Sequence, residues 1–163
     1  MKQDSGLTSI ATLEAIENIT SAAGWEFERI DNDEIVVIIP TDSTQYRLHF
    51  LWHDDVNMLY MACFADFDDL DTTSIELHNL IFLANQRLWL GHFDIFENNS
   101  LVFRHTMPLR GIETLSSEQI EDLIDVALGQ FNLFYPAFRH MIDDGVNARE
   151  AFEGAMIDTA GEA

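Results

Sequence analysis

Lysine is almost missing from this chain of 163 residues. Lys2 is the only one, and the other bases are Arg29, Arg47, Arg87, Arg104, Arg110, Arg139 and Arg149. A Walker-type phosphate loop needs a lysine behind its glycines, and none is placed to serve. Schiff-base chemistry lacks its amine as well. Positive charge is scarce altogether: 29 acids against 8 bases leave a formal charge of −21. Such a chain repels nucleic acid and anionic membrane surfaces, so neither is expected as a partner. Cysteine occurs once, as Cys63. No internal disulfide can form, and its apolar surroundings suit a small buried hydrophobe better than a nucleophile. No apolar run approaches the ~20 residues that span a bilayer. The start, MKQDSGLTS, lacks the basic-then-apolar pattern of a secretory signal, and cytoplasmic residence is expected. A Ser-His-Asp elbow, a zinc-protease pair and a calcium loop are missing too. No catalytic residue, cofactor or metal is therefore assigned, and no enzyme activity is expected.

What is present is 47% hydrophobic, enough for one domain with a core that needs no staple. That domain is expected over 8–157, with loose tails at 1–7 and 158–163. Ile10, Leu13, Ile16, Ile19 and Ala23 recur at helical spacing, and Gly24 stands where a left-handed cap is wanted, followed by Trp25. Trp25–Ile30 and Ile35–Ile39 flank an Asp-Asn-Asp turn and read as a hairpin. In Gln45–Trp52 the residues Tyr46, Leu48, Phe50 and Trp52 share one face, with Arg47, His49, Leu51 and His53 on the other. Met58–Phe67 is apolar on both faces and reads as a central strand, or one covered by a partner subunit.

Thr73–Glu76 has the spacing of a capping box and predicts a second helix to about Leu88. That helix is apolar all round, which predicts burial on more than one side. A hairpin of Gly91–Phe96 and Leu101–Leu109 follows. An odd-length loop sets Phe93 opposite Phe103, Ile95 opposite Leu101 and His92 opposite Arg104, keeping apolar residues on one face. Ser116 and Gln119 form a second capping box, with Leu115 stapled on Ile120, opening a third helix. Its stripe runs through Ile120, Leu123, Ile124, Ala127, Leu128, Phe131, Phe134 and Phe138, and Pro136 should kink or break it. Asn147 caps a short last helix. The order α-β-β-β-β-α-β-β-α, with that last helix behind it, predicts an α+β fold: an antiparallel sheet packed with helices.

Several groups are candidates for contact with other molecules. His92 and Asp94, two apart on a strand, project together with Arg104 opposite, a cluster able to hold a carboxylate or fix the hairpin; His105 and Arg87 stand near in sequence. His78, Phe82, Asn85 and Trp89 share a helical stripe that reads as a seam against another element or subunit. Phe131, Phe134, Tyr135 and Phe138 crowd around Pro136, as core or as an aromatic interface. His49, His53, Asp54 and Asp55 offer metal-type ligands, but positions four apart on a strand are ~13 Å apart, too far for one ion. Glu113, Glu118, Glu121, Asp122 and Asp125 fall where no base occurs between Arg110 and Arg139. This interval is read first as a solvated face, and otherwise as an acceptor for a basic partner.

Arg87-Leu-Trp-Leu-Gly-His-Phe-Asp94, Phe103-Arg-His105, Leu109-Arg-Gly111, Phe134-Tyr-Pro-Ala-Phe138 and the ending Asp158–Ala163 also carry a resemblance. In these pieces, over about Thr8–Ala163, the chain is similar to the YbjN-like bacterial proteins, a group catalogued as sensory regulators. The resemblance implies the type III secretion chaperone-like fold, whose members commonly dimerise and bind segments of other proteins. The expectation is a non-catalytic protein-binding module, chaperone- or adaptor-like, forming a homodimer and taking a protein client. Its binding residues are sought among Arg87, Trp89, His92, Asp94, Arg104, His105, Phe134, Tyr135 and Phe138. The alternative is a sensor that binds a small ligand or metal near His92, Asp94 and Arg104.

Overall fold

A computed structural model describes residues 5–97, 99–112 and 115–160, with side chains from 10 to 157. Lys2, Glu113 and residues 161–163 lie outside that range. Residues 5–7 and 158–160, expected as parts of loose tails, belong to helices.

Helix α1 (Ser5–Ala23) starts ahead of Ile10, the first residue of its apolar pattern. Its end follows the sequence signal. Gly24 takes φ +72°, its N–H donates to the Ser21 carbonyl and that of Trp25 to the Thr20 carbonyl (3.1 and 3.0 Å). These nested bonds are a Schellman ending, and only glycine adopts that φ without strain.

Strands β1 (Glu26–Arg29), β2 (Glu34–Pro40), β3 (Gln45–His53) and β4 (Met58–Ala65) precede helix α2 (Ile75–Asn85). Strands β5 (His92–Ile95) and β6 (Leu101–Pro108) follow, then helices α3 (Ser117–Asp144) and α4 (Ala148–Ala160). The six strands form one sheet in the order β1-β2-β3-β4-β6-β5, with every neighbour antiparallel. The α+β expectation is met. β4 is a central strand, which explains its apolar character on both faces. The alternation of β3 is also as expected, with Tyr46, Leu48, Phe50 and Trp52 buried.

Phe93 of β5 lies at the heart of the core. Its ring centroid is 5.2–5.7 Å from those of Phe103, Phe131, Phe134 and Phe138. Edge-on aromatic packing of this kind fixes α3 across the sheet. The β5–β6 register is the one the odd-length loop required: His92 opposite Arg104, Phe93 opposite Phe103, Ile95 opposite Leu101. Phe96 N–H bonds to the Ser100 carbonyl, leaving three positions, 97–99, for the loop. Asn99 there takes φ +61°.

Three expectations are revised for physical reasons. Of the kink or break expected at Pro136, the break does not occur: α3 runs on from Ser117 to Asp144. Buried Phe131, Phe134, Ala137, Phe138 and Met141 hold both sides of the proline on the core. The Ser116–Gln119 box forms, but the box at Thr73–Glu76 does not. Ser74 is the N-cap and has no side-chain bond, while Thr73 turns back to Asp71. Glu76 instead accepts from the Ala148 N–H at 2.7 Å, so a carboxylate on α2 caps α4. Finally, α2 is shorter and less buried than its composition suggests: it ends at Asn85, and only Leu77, Leu80 and Ala84 are fully buried.

Candidate functional site

The exposed side of α2 follows from that partial burial. Ile75 and Phe82, seven apart and so on one helix face, are 69% and 63% exposed, opposite the buried Leu77, Leu80 and Ala84. Trp89 and Leu90, in the bend beyond the helix, are exposed as well. Trp89 is 98% exposed. The stripe His78, Phe82, Asn85 and Trp89 is therefore split. His78 bonds to the Thr72 carbonyl, while Asn85 turns inward and grips Phe93, donating to its carbonyl (3.0 Å) and accepting from its N–H (2.7 Å). Gly91 then lets the chain enter β5. It takes φ +67°, and a Cβ there would stand 2.4 Å from the Phe103 ring and 2.8 Å from the Arg104 carbonyl oxygen.

Beside this surface, α2 and α4 enclose an apolar groove of about 420 Å³ along Leu83, Phe152, Met156 and Ile157. Arg87 borders it, its guanidinium 5.7 Å from the centre of the Phe152 ring. Positions 72–91 hold one acid, Glu76, and one base, Arg87. In a chain of charge −21, this is a neutral apolar surface.

The polar cluster expected on the hairpin forms, on the sheet face away from the main core. Arg104 Nε donates to His92 Nε2 at 3.0 Å, and the same guanidinium pairs with Asp94. The groups satisfy one another and fix the hairpin, a contact worth up to ~1 kcal/mol at such exposure. They border a small apolar patch of Ala62, Phe64 and Val102. His105 is not part of the cluster: one residue on from Arg104, it points to the other face of the sheet. Burial, then the charge of His92, holds its pKa below the ordinary 6.5. Phe134 and Phe138 are wholly buried, and Tyr135 is half-buried with its ring 5.0 Å from that of Phe67. The aromatics around Pro136 are thus core, and neither phenylalanine can touch a partner at the surface.

Histidines 49 and 53 behave as ordinary strand residues. His49 pairs with Glu34 at 3.3 Å, and Asp54 accepts from the Trp52 indole. Among the described residues no group of three His, Cys, Asp or Glu could hold a metal ion. Burial raises the Cys63 thiol well above its usual pKa. Tyr46 is pushed up to about 12, by burial first and then by Cys63 and Tyr135. Sequence reasoning missed Ile75, Leu90 and Ile157 as surface residues, because apolar spacing marks a helix face without showing what covers it.

A match to a known family covers residues 12–140; the family is YbjN, described as "Putative bacterial sensory transduction regulator". Among solved structures, YbjN from E. coli, described as "a putative transcription regulator", superposes with a TM-score of 0.50 at 13% identity. That match covers 73% of this chain and 84% of the other. A chain of the ExsC–ExsE complex superposes with a TM-score of 0.51 at 14% identity, over 71% and 84% of the two chains. At such identities the likeness is one of fold, the type III secretion chaperone-like fold. No curated protein matches by sequence. No helix among the described residues is long and apolar enough to cross a membrane.

Proposed function

The chain belongs to the YbjN family, and on that basis we propose that it is a non-catalytic protein-binding module of adaptor or chaperone type, acting in regulation as a homodimer. The observation that carries this reading is the exposed side of α2 and the bend that follows it, where Ile75, Phe82, Trp89 and Leu90 stand at least half exposed in one neutral stretch. Exposed aromatics of this size are characteristic anchors of protein interfaces. Charge makes a second copy the natural occupant. Two chains of −21 repel over most of their surfaces, and the neutral stretch 72–91 lets them approach with least repulsion. The match to a chain of the ExsC–ExsE complex supports the reading, since that fold is found there within a protein complex. The burial and raised pKa of Cys63, the one thiol, fit a role without covalent chemistry.

Sedimentation velocity tests the pairing. The native protein is expected to sediment as a dimer. Phe82→Glu combined with Trp89→Glu is expected to give a monomer with unchanged circular dichroism. A native protein that remains monomeric as its concentration is raised would remove the dimer from this reading.

A further inference from the structure

A second groove, on the far side of the helical layer, has the opposite electrostatic character. It lies between the end of α1 and the start of α3 and has a volume of about 550 Å³. Its floor is apolar, formed by Ile19, Trp25 and Ile124. Glu121 and Asp125 stand on its rim, one helical turn apart and exposed. Like charges at that spacing repel, so the rim gains from an incoming cation. None of the described residues lining the groove is a base; α1 contains no Lys or Arg, and none occurs between Arg110 and Arg139. Arg29, the last residue of β1, is held by Glu17 at 2.7 Å.

We propose that this α1–α3 groove docks a basic amphipathic segment of another protein, with apolar side chains on Ile19, Trp25 and Ile124 and Lys or Arg against Glu121 and Asp125. The proposal rests on the protein-binding reading above and adds to it the chemistry of the client. Complementarity excludes a second copy, which brings −21 to an acidic rim. An amphipathic helix laid into a groove by its apolar face is an established recognition mode, and clusters of Lys and Arg beside that face suit this rim.

The test uses the full chain and a fluorescent model peptide of about 15 residues, the length at which an isolated helix becomes viable. The peptide carries Leu at helical i, i+3, i+4 and i+7 spacing and Lys elsewhere; a second peptide has Glu for Lys. Binding of the Leu/Lys peptide, and none of the Leu/Glu peptide, is expected. Glu121→Lys with Asp125→Lys should weaken it about tenfold. Asp68→Lys with Asp69→Lys makes the same change in net charge away from the groove and should leave affinity within about twofold. Equal loss in both variants would reduce the effect to bulk charge and overturn the proposal. A photo-reactive leucine in the peptide should label Ile19, Trp25 or Ile124, and labelling of Phe82 or Trp89 instead would also overturn it. The dimer measurement uses other residues and no peptide, so its outcome stands apart from this one.

Discussion

Two helix-to-strand junctions, each built on a glycine and a tryptophan, treat their tryptophans in opposite ways. At the exit of α1, Gly24 completes a Schellman ending, and the next residue, Trp25, folds back against the core. At the exit of α2, the helix loosens through Gln86 and Arg87, and Trp89 stands 98% exposed before Gly91 returns the chain to the sheet. The first junction spends its aromatic on stability and leaves an acidic groove beside it. The second leaves its aromatic outside on a neutral surface. A clean helix cap draws the next side chain inward; a frayed one with a delayed glycine leaves the same side chain free for a partner.

The glycines test this contrast most severely. Both lie at positive φ, but space around Gly24 is open, whereas a Cβ at Gly91 meets Phe103 and the Arg104 backbone. Gly91→Ala should cost about 2–4 kcal/mol in urea unfolding, combining backbone strain with overpacking, and Gly24→Ala only about 1 kcal/mol. Equal costs would mean the two junctions are not built differently. The tryptophans come next. Trp25→Ala should destabilise the protein by about 2 kcal/mol. Trp89→Ala should change unfolding of the monomer by no more than about 0.5 kcal/mol while weakening dimerisation in the ultracentrifuge. Glu76→Gln should cost about 1 kcal/mol by weakening the cap on α4, and Glu76→Ala more.

Salt sharpens the same contrast by the sign of its effect. Screening should strengthen pairing through the neutral α2 surface, because it quiets repulsion between two acidic chains. It should weaken binding of the Leu/Lys peptide at the acidic rim. A common direction for both would show that one force governs both surfaces. The smallest effect concerns His105, beside the second junction. Its folded pKa lies below 6.5, so the unfolded chain takes up this proton first. The stability it contributes is present above about pH 6.5 and is lost as pH falls through the lower folded value. His105→Asn should therefore lose less stability than the parent between pH 7 and 5 in paired urea titrations.

Much of the scaffold was legible because local rules determined it. Loop parity gave the β5–β6 register, Ser116 and Gln119 their box, and Gly24 its cap. The failures come from contacts that no local pattern announces. Glu76 is drawn from its own helix by Ala148, a partner 72 positions away. Pro136 is carried through by packing on both sides. At the candidate surfaces, composition identified Trp89 but also proposed Phe134 and Phe138, since a core aromatic and an interface aromatic look alike before burial is known. The acidic interval was visible as charge; the apolar floor that makes it a groove appears only where α1 meets α3.

The hold of Asn85 on Phe93 reaches beyond the hairpin it braces. β5 is an outer strand, and its free N–H and C=O groups are what an extended chain would need to add itself to the sheet. Both such groups on Phe93 are already taken by one side-chain amide. At the other border, β1 offers only four residues, three of them Glu26, Glu28 and Arg29. With one rim of the sheet braced at Phe93 and the other short and charged, both edges disfavour the addition of a further strand.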